Sequence, residues 1–256
     1  MEVGGRLLVD SASFTVMPRD KVGIVGRNGA GKTSLFKVLG GANEPKSGRV
    51  VRKGGFGYLP QDPKIDSALD GRSCVTHVLS GRGIDDEITR IEKLRIAMEE
   101  NPDERNVGRY SEAEEAFRTT GGYASESEAR AMAAGLGIPD SRLDQPISTL
   151  SGGERRRVEL ARILFAGSDV LCLDEPTNHL DIDAKTWLLG FLRQYKGALL
   201  VISHDLELLD ESITRVLHLD RATETDVGEI VEYRGTYSQY QRSRADDEQR
   251  LAKKAV

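Results

Sequence analysis

A glycine-rich segment near the N-terminus has the residue types needed to bind the phosphates of a nucleotide. Glycines let the backbone curl so that several N–H groups face one anion, and a helix that begins there adds the positive end of its dipole. Lys32 is expected to reach the β- and γ-phosphates, and the Thr33 hydroxyl is expected to bind Mg²⁺. A glycine-rich turn with a chance lysine is the competing interpretation. The segment fits the pattern G-x-x-x-x-G-K-[ST] and consists of Gly26, Arg27, Asn28, Gly29, Ala30, Gly31, Lys32 and Thr33, followed by Ser34.

An acidic pair farther along the chain could supply a metal ligand and a general base. Asp174 and Glu175 follow the apolar run 170–173, which predicts a buried strand. Ligands bind at the carboxyl ends of such strands in α/β sheets. We expect Asp174 to hold Mg²⁺, directly or through water, and Glu175 to deprotonate an attacking water, assistance worth roughly 10²- to 10⁴-fold in rate. Without the glycine-rich segment, a solvated strand end would be the default interpretation.

A second helix start also has anion-binding chemistry. Ser151 is a favoured N-cap residue, and Gly152 and Gly153 after it leave backbone N–H groups accessible. The helix predicted over 151–166 is amphipathic. Its apolar side consists of Val158, Ala161, Leu164 and Phe165. One triphosphate rarely needs two such sites in one chain, so this one is predicted to complete a pocket on another domain.

The elements around these residues predict an α/β fold. The apolar runs 21–25, 170–173 and 199–202 indicate buried strands, and their alternation with helices indicates a mostly parallel sheet. Residues 6–25 are expected to form a β-rich entry. Its predicted parts are strands over 7–9 and 14–16, a turn at 18–20, and the strand that leads into the glycine-rich segment. Residues 48–59 predict two more short strands, the second ending at Leu59.

Residues from about 64 to 148 are expected to be helical. Apolar residues recur at spacings of three and four, and Asn101-Pro102-Asp103 interrupts the pattern. A helical hairpin over 85–120 is therefore predicted, and it is interpreted as a structural arm. A third helix is expected over 125–135. The apolar positions are Ile84, Ile88, Ile91, Leu94 and Met98 on the first helix, and Tyr110, Ala113 and Phe117 on the second.

Composition excludes several classes of protein. With 38% hydrophobic and 30% charged residues, the 256-residue chain is typical of a globular protein, and no apolar run suits a membrane span or a signal peptide. A cytoplasmic location without membrane insertion is expected. Cys74 and Cys172 have no metal or disulfide spacing. The net charge of −5 argues against a generally basic nucleic-acid-binding surface.

Taken together, these motifs resemble the nucleotide-binding domain of ATP-binding cassette (ABC) proteins. The resemblance implies a P-loop NTPase fold with a mostly parallel sheet, a β-rich entry subdomain, and an inserted helical subdomain with a hairpin arm. It also covers nearly the whole chain, with the motifs in family order. The matching segments are the phosphate loop at 26–33, the Q-loop with Gln61, the signature motif at 150–154, the Walker B strand at 170–175, the D-loop at 178–181, and the switch histidine His204.

The resemblance implies an ATPase that converts ATP and water to ADP and phosphate, with ATP and Mg²⁺ as its cofactors. Two such domains close head to tail over two ATP molecules, and each ATP is held by one phosphate loop and the other domain's signature motif. In that picture Ser151, Gly152 and Gly153 bind nucleotide. Gln61 senses Mg²⁺ and the γ-phosphate and is a metal ligand with Thr33 and Asp174. His204 contacts the γ-phosphate, so that Glu175, His204 and Gln61 form the catalytic set.

Three segments are similar to the ABC-F branch, whose members carry two cassettes in tandem and act on the ribosome. They are Glu175-Pro176-Thr177-Asn178-His179-Leu180-Asp181, Gly121-Gly122-Tyr123, and the tyrosine-rich stretch 233–240. The branch implies a first cassette over 1–240 and the start of a charged helical linker over 241–256. Its implied partners are a second cassette, in tandem or as a homodimer, and the ribosome. The implied role is that of a translation factor or of antibiotic resistance by ribosome protection.

Two other functions compete with this one. The alternative is the ATPase subunit of a membrane transporter, which would bind a separate permease. A DNA-repair ATPase would need a long coiled coil where the chain has only the short hairpin. The segment 85–122 carries eleven acidic and six basic residues, which is unfavourable for contacts with RNA. Its charge suits either basic proteins or a solvated face.

Overall fold

The computed structural model describes residues 2–3, 6–7, 12–45, 47–63, 71–220 and 227–254, and it contains two structural units. The first comprises Met1–Asp62, Ser168–Asn178 and Lys185–Val256, and the second comprises Pro63–Gly167 and His179–Ala184. In chain order the elements are β1 (Glu2–Val3), β2 (Arg6–Leu7), β3 (Lys21–Gly26), α1 (Lys32–Leu39), β4 (Phe56–Leu59), α2 (Cys74–Leu79), α3 (Ile84–Glu100), α4 (Glu104–Thr119), α5 (Gly122–Gly135), α6 (Asp140–Leu143), α7 (Gly152–Phe165), β5 (Val170–Asp174), α8 (Ile182–Gln194), β6 (Ala198–Ile202), α9 (Leu206–Ser212), β7 (Arg215–Asp220), β8 (Glu229–Arg234) and α10 (Tyr237–Lys254).

A six-stranded sheet forms the centre of the first unit, in the order β4-β5-β6-β3-β7-β8. Neighbouring strands are parallel except for β7 and β8. Strand β6 is buried along its whole length, as expected of a continuous apolar run in a sheet covered on both faces. The parallel sheet predicted from the three apolar runs is therefore confirmed. Because these strands are parallel, the carboxyl ends of β3, β4, β5 and β6 lie at the same edge of the sheet.

The β-rich entry is only partly as predicted. The turn is present, since the Asp20 N–H donates to the Met17 carbonyl over 3.0 Å. Residues 14–16 form no strand; the side chains of Phe14 and Val16 pack against the core of the sheet instead. The first of the two strands predicted over 48–59 is likewise absent from the described residues 47–55, and only β4 forms. The positions 8 and 9 of another predicted strand lie outside the described residues.

The second unit is helical among its described residues. Helices α3 and α4 occupy the region predicted to form a hairpin, and α5 begins three residues before its predicted start. The side chain of Asp103 caps α4 by accepting the Asn106 N–H over 2.7 Å, which explains why the chain restarts as a helix directly after the interruption at Pro102. Residues 64–70, the start of the predicted helical subdomain, lie outside the described residues.

Helix α10 begins inside the tyrosine-rich stretch, at Tyr237 rather than after residue 240. Its N-terminus is held by Asp210, whose carboxylate accepts the Ser238 N–H over 2.7 Å. Tyr240 is buried against the rings of Tyr233 and His218. The division between cassette and linker stays a prediction, because the helix passes through it. No helix in the described part of the chain has the length and apolarity to cross a membrane.

Candidate functional site

The predicted phosphate-binding loop has glycines at positions where a residue with a Cβ would clash or adopt a strained backbone. Strand β3 ends at Gly26 with a φ of 156°, and a Cβ there would lie 2.8 Å from the carbonyl oxygen of Leu219 on the neighbouring strand. Gly29 and Gly31 have φ values of 79° and 103°, in the left-handed region that glycine tolerates. Helix α1 begins directly after Gly31, so the loop and a helix N-terminus meet as the pattern predicts.

The ammonium group of Lys32 folds back over this loop. Its Nζ atom donates to the carbonyl oxygens of Gly26 over 2.8 Å and Arg27 over 3.1 Å. Burial lowers the pKa of Lys32, and the negative charges of Glu175 and Asp174 act in the opposite direction. The lysine and the acidic pair therefore share one electrostatic environment, although they are far apart in sequence.

The acidic pair lies at the end of β5. Asp174 is the last residue of the strand and is 1% exposed; Glu175 is 7% exposed. Glu175 has a φ of 51°, an unfavourable left-handed conformation for a residue with a Cβ, and its N–H donates to the carbonyl of Ile202 over 2.8 Å. Such strain, of order 1–3 kcal/mol, persists where the surrounding structure holds the residue in place and is concentrated at functional sites.

The two carboxylate oxygens of Glu175 have different neighbours. Oε2 accepts the backbone N–H of His204 over 3.2 Å and lies 3.5 Å from the hydroxyl of Ser203, whereas Oε1 lies 3.4 Å from Nε2 of His204. Burial raises the pKa of Glu175, and the His204 N–H partly offsets that effect. A buried carboxylate with a raised pKa is suited to accept a proton. The sequence pattern did not assign a role to Ser203; its place beside His204 was the only signal.

The parallel sheet brings the predicted catalytic residues to one edge. In the strand registers Leu59 lies beside Leu173, and Asp174 beside Ile202, so β4, β5 and β6 end together. Gln61 follows β4 by two residues and is exposed, and His204 follows β6 with 68% of its side chain exposed. Both residues can therefore be reached by a ligand bound at the edge where Glu175 lies.

The proposed magnesium ligands are all oxygen donors. They are the hydroxyl of Thr33, the amide oxygen of Gln61 and the carboxylate of Asp174, the donor types that Mg²⁺ prefers. Within the described ranges no group of three or more His, Cys, Asp or Glu side chains could hold a metal by itself. That donor set fits a cation bound through few protein ligands together with phosphates and water, as is usual for Mg²⁺ in nucleotide sites.

The signature residues lie in the second unit, at the start of α7. The Ser151 hydroxyl accepts the Glu154 N–H over 3.3 Å, and Oε2 of Glu154 accepts the Ser151 N–H over 2.9 Å, which is a complete capping box. The Ser151 hydroxyl also donates to Oε2 of Glu154 over 2.8 Å, and the two bonds that Oε2 accepts, first that from the Ser151 N–H and then that from the hydroxyl, lower the pKa of Glu154. A Cβ on Gly152 would meet open space, so the backbone there is accessible, whereas Gly153 lies against His179. The predicted helix and its cap are thus confirmed; the binding role of Ser151, Gly152 and Gly153 stays a prediction.

Comparison with known proteins agrees with this arrangement of motifs. A sequence model described as "ABC transporter" matches residues 9–178. The chain is 37% identical over 243 residues to "Probable ATP-binding protein YheS" of Haemophilus influenzae, and 34% identical over 240 residues to "Energy-dependent translational throttle protein EttA" of the same organism. These alignments cover 93% and 92% of this chain but only 35% and 41% of the two relatives.

Among solved structures, an ATP-binding cassette determined as a dimer in a post-hydrolysis state, bound to ADP and phosphate, superposes with a TM-score of 0.62. The sequence identity is 18%, and the match covers 91% of this chain and 94% of the other. At that identity the likeness shows the fold alone. The predicted α/β P-loop NTPase fold is therefore confirmed.

Proposed function

Because this chain belongs to the ABC transporter family, we propose that it is the ATP-binding and ATP-hydrolysing cassette of an ABC-F protein that binds ribosomes in its ATP-bound state. The relative named as a translational throttle protein supports a role in translation. The chain corresponds to about two fifths of that relative's length, so a second cassette and a linker are part of the proposal. The reaction is ATP + H₂O giving ADP and phosphate, in the cytoplasm.

The proposal rests chiefly on the position of the buried Glu175 carboxylate. It accepts the His204 N–H, and its charge interacts with that of Lys32 in the glycine-rich segment. In the proposed reaction Lys32 and the N–H groups of residues 26–34, with the flanking side chains of Arg27, Asn28 and Ser34, bind the phosphates. Glu175 accepts a proton from the attacking water. The exposed His204 ring contacts the γ-phosphate and orients it.

Magnesium, when bound, supplies neutralisation of the charge on the phosphate oxygens. Thr33, Asp174 and Gln61 would hold it. Asp174 would supply a carboxylate that is 1% exposed at the end of β5, where a bound cation would offset the cost of burying a negative charge. Gln61 is exposed, so its side chain can adjust its position once nucleotide and cation are in place.

We assign Ser151, Gly152 and Gly153 to the nucleotide of a partner cassette. The N-terminus of α7 supplies accessible N–H groups and a positive dipole end, which favour a phosphate. The partner is a second cassette in the same protein or a second copy of this chain. In either case the catalytic set of one cassette acts on an ATP that the other cassette covers.

Ribosome binding can be tested with the intact gene product carrying Glu175→Gln and the equivalent change in any second cassette. Removing the base should slow hydrolysis by roughly 10²- to 10⁴-fold while ATP still binds, so that the closed state accumulates. The variant should then sediment with ribosomes only when ATP is present. Glu44→Gln is the matched control, because Glu44 is an exposed acid in the same unit and should leave hydrolysis unchanged.

Two results would contradict the proposal. If Glu175→Gln hydrolyses ATP as fast as the Glu44→Gln control, Glu175 is not the base. If the variant binds ATP without hydrolysing it, yet stays in the supernatant with and without ATP, the ribosome is not the partner. A membrane permease would then be the partner to test, as for the ATPase subunit of a transporter.

A further inference from the structure

The Glu175 side chain contacts a loop that lies about thirty residues farther along the chain. Both oxygens of the carboxylate lie near this loop, Oε2 at the His204 N–H and the Ser203 hydroxyl, and Oε1 near the His204 ring. A general base works only if one oxygen faces the proton it must accept. The contacts to Oε2 therefore contribute to fixing the direction in which Oε1 points.

Ser203 has the geometry of a second donor to Oε2. The residue is 8% exposed, and its Oγ atom accepts the backbone N–H of Asp205 over 3.1 Å. With that lone pair engaged, the hydroxyl proton is available for another acceptor, and Oε2 of Glu175 lies 3.5 Å away. This distance is long for a hydrogen bond, but catalytic contacts of this kind often shorten when substrate binds.

The loop that carries Ser203 is fixed from its other side. The Asp205 carboxylate caps α9 by accepting the Leu208 N–H over 3.2 Å, and its second oxygen lies 2.9 Å from the ammonium of Lys185 on α8. Lys185 also pairs with Glu207 over 2.7 Å. Ser203 thus belongs to a loop whose position is fixed by a helix cap and by an ion pair. The position of its hydroxyl relative to Glu175 is fixed with it.

We propose that Ser203 is a positioning residue for Glu175: its hydroxyl and the His204 N–H both hold Oε2, so that Oε1 is directed toward the attacking water. The proposal rests on the proposed role of Glu175 as the base. Ser203 itself transfers no proton, and the hydrogen-bonding neighbours of its hydroxyl are Glu175 and the Asp205 N–H. Its removal should therefore change the rate of the chemical step and leave nucleotide affinity as it was.

The test compares Ser203→Ala and Ser203→Thr in the intact gene product. We expect Ser203→Ala to lower kcat about three- to tenfold, the effect of losing one modest hydrogen bond, with the KM and Kd for ATP unchanged. Ser203→Thr keeps the hydroxyl and should restore kcat. Ser212→Ala is the matched control, since Ser212 is a buried serine (5% exposed) in the adjoining helix, whose hydroxyl donates to the Leu208 carbonyl. It should alter stability without altering kcat.

A double variant separates positioning from a general loss of structure. If Ser203 acts through Glu175, adding Ser203→Ala to Glu175→Gln should cause no further loss of the residual, slow hydrolysis measured over long incubations. Wild-type kcat in Ser203→Ala, failure of threonine to restore kcat, or an undiminished effect of Ser203→Ala in the Glu175→Gln background would each overturn the proposal. If Glu175→Gln left hydrolysis intact, the proposed function and the positioning role would fail together. If Glu175→Gln slowed hydrolysis but Ser203→Ala did not, only the positioning role would fail.

Discussion

Substitutions of Ser151 should separate its observed role as a helix cap from its proposed role at the nucleotide of a partner cassette. Ser151→Ala removes the acceptor of the Glu154 N–H, whereas an asparagine side chain can replace that acceptor. Loss of the cap should reduce the free energy of unfolding by about 1 kcal/mol, within a range of roughly 0.5–2 kcal/mol. For a domain of this size that corresponds to a lowering of Tm by about 2–4 °C. Ser151→Asn should melt close to the wild type.

The pH dependence of this effect has a definite sign. The bonds from the Ser151 N–H and hydroxyl lower the pKa of Glu154 in the folded state. Their contribution is therefore present above the ordinary glutamate pKa of about 4.3 and is lost as the pH falls through the lowered value. The stability difference between wild type and Ser151→Ala should shrink in acid, as measured by urea unfolding followed by far-UV circular dichroism at several pH values.

Hydrolysis should respond differently from stability. If the Ser151 hydroxyl contacts the nucleotide of the partner cassette, both Ala and Asn should lower steady-state ATPase activity by roughly 10- to 100-fold, the effect of losing a hydrogen bond to a charged group. Binding of ATP to the phosphate loop of the same cassette should be unchanged. Wild-type stability of Ser151→Ala would refute the capping argument. Full ATPase activity of Ser151→Asn would refute the role at the second nucleotide.

Two further substitutions test the structural basis of each unit. Gly26→Ala places a Cβ 2.8 Å from a backbone oxygen, so it should destabilise the protein by about 1–3 kcal/mol and weaken ATP binding. Gly48 has a φ of 78° but no atom within 4 Å of an added Cβ, so Gly48→Ala should destabilise the protein by about 1 kcal/mol and leave ATP affinity intact. Equal effects of the two substitutions on ATP affinity in calorimetric titrations would refute this. Glu159→Gln should lower the free energy of unfolding by about 1.5–3 kcal/mol at neutral pH, because it removes charged hydrogen bonds to Arg162 and His77. Burial raises the pKa of Glu159, but these hydrogen bonds outweigh burial, and the pKa is lowered overall. The stabilisation by Glu159 is present above the pKa of the unfolded state and disappears as the pH falls through the lower pKa of the folded state. If the stability difference between wild type and Glu159→Gln stayed undiminished below about pH 4 in acid unfolding, the argument would be contradicted.

The candidate residues of the site could be named from the sequence because their signals are local. Glycines at fixed offsets, a lysine at a helix start and a serine before two glycines each act within a few residues of backbone, and the structure contains the corresponding loop, helix and cap. The apolar runs likewise predicted β3, β5 and β6. The family assignment from the same motifs is confirmed, and relatives that include a translational throttle protein agree with the ABC-F resemblance.

The wrong strand predictions concern segments whose structure depends on pairing with segments distant in the chain. Residues 14–16 and the first part of 48–59 were predicted as strands but acquire no ladder partner, and Phe14 and Val16 serve as packing residues instead. A strand requires a neighbour with matching register, which local composition does not specify. Short helices such as α2 and α6, of six and four residues, lie in the region 64–148 that was expected to be helical. Their bounds were not predicted, because their apolar patterns are too brief for periodicity to show.

The amino-acid sequence alone predicted candidate residues for binding phosphate, for holding a cation and for acting as a base, because those properties belong to side-chain chemistry and to a few neighbouring dihedral angles. Only the tertiary structure decided how Glu175 is held. Its left-handed backbone, its burial, and the contact of Oε2 with Ser203 and His204 arise because parallel strands β5 and β6 end side by side. Such a juxtaposition depends on sheet order and register, which join segments that are distant in the chain.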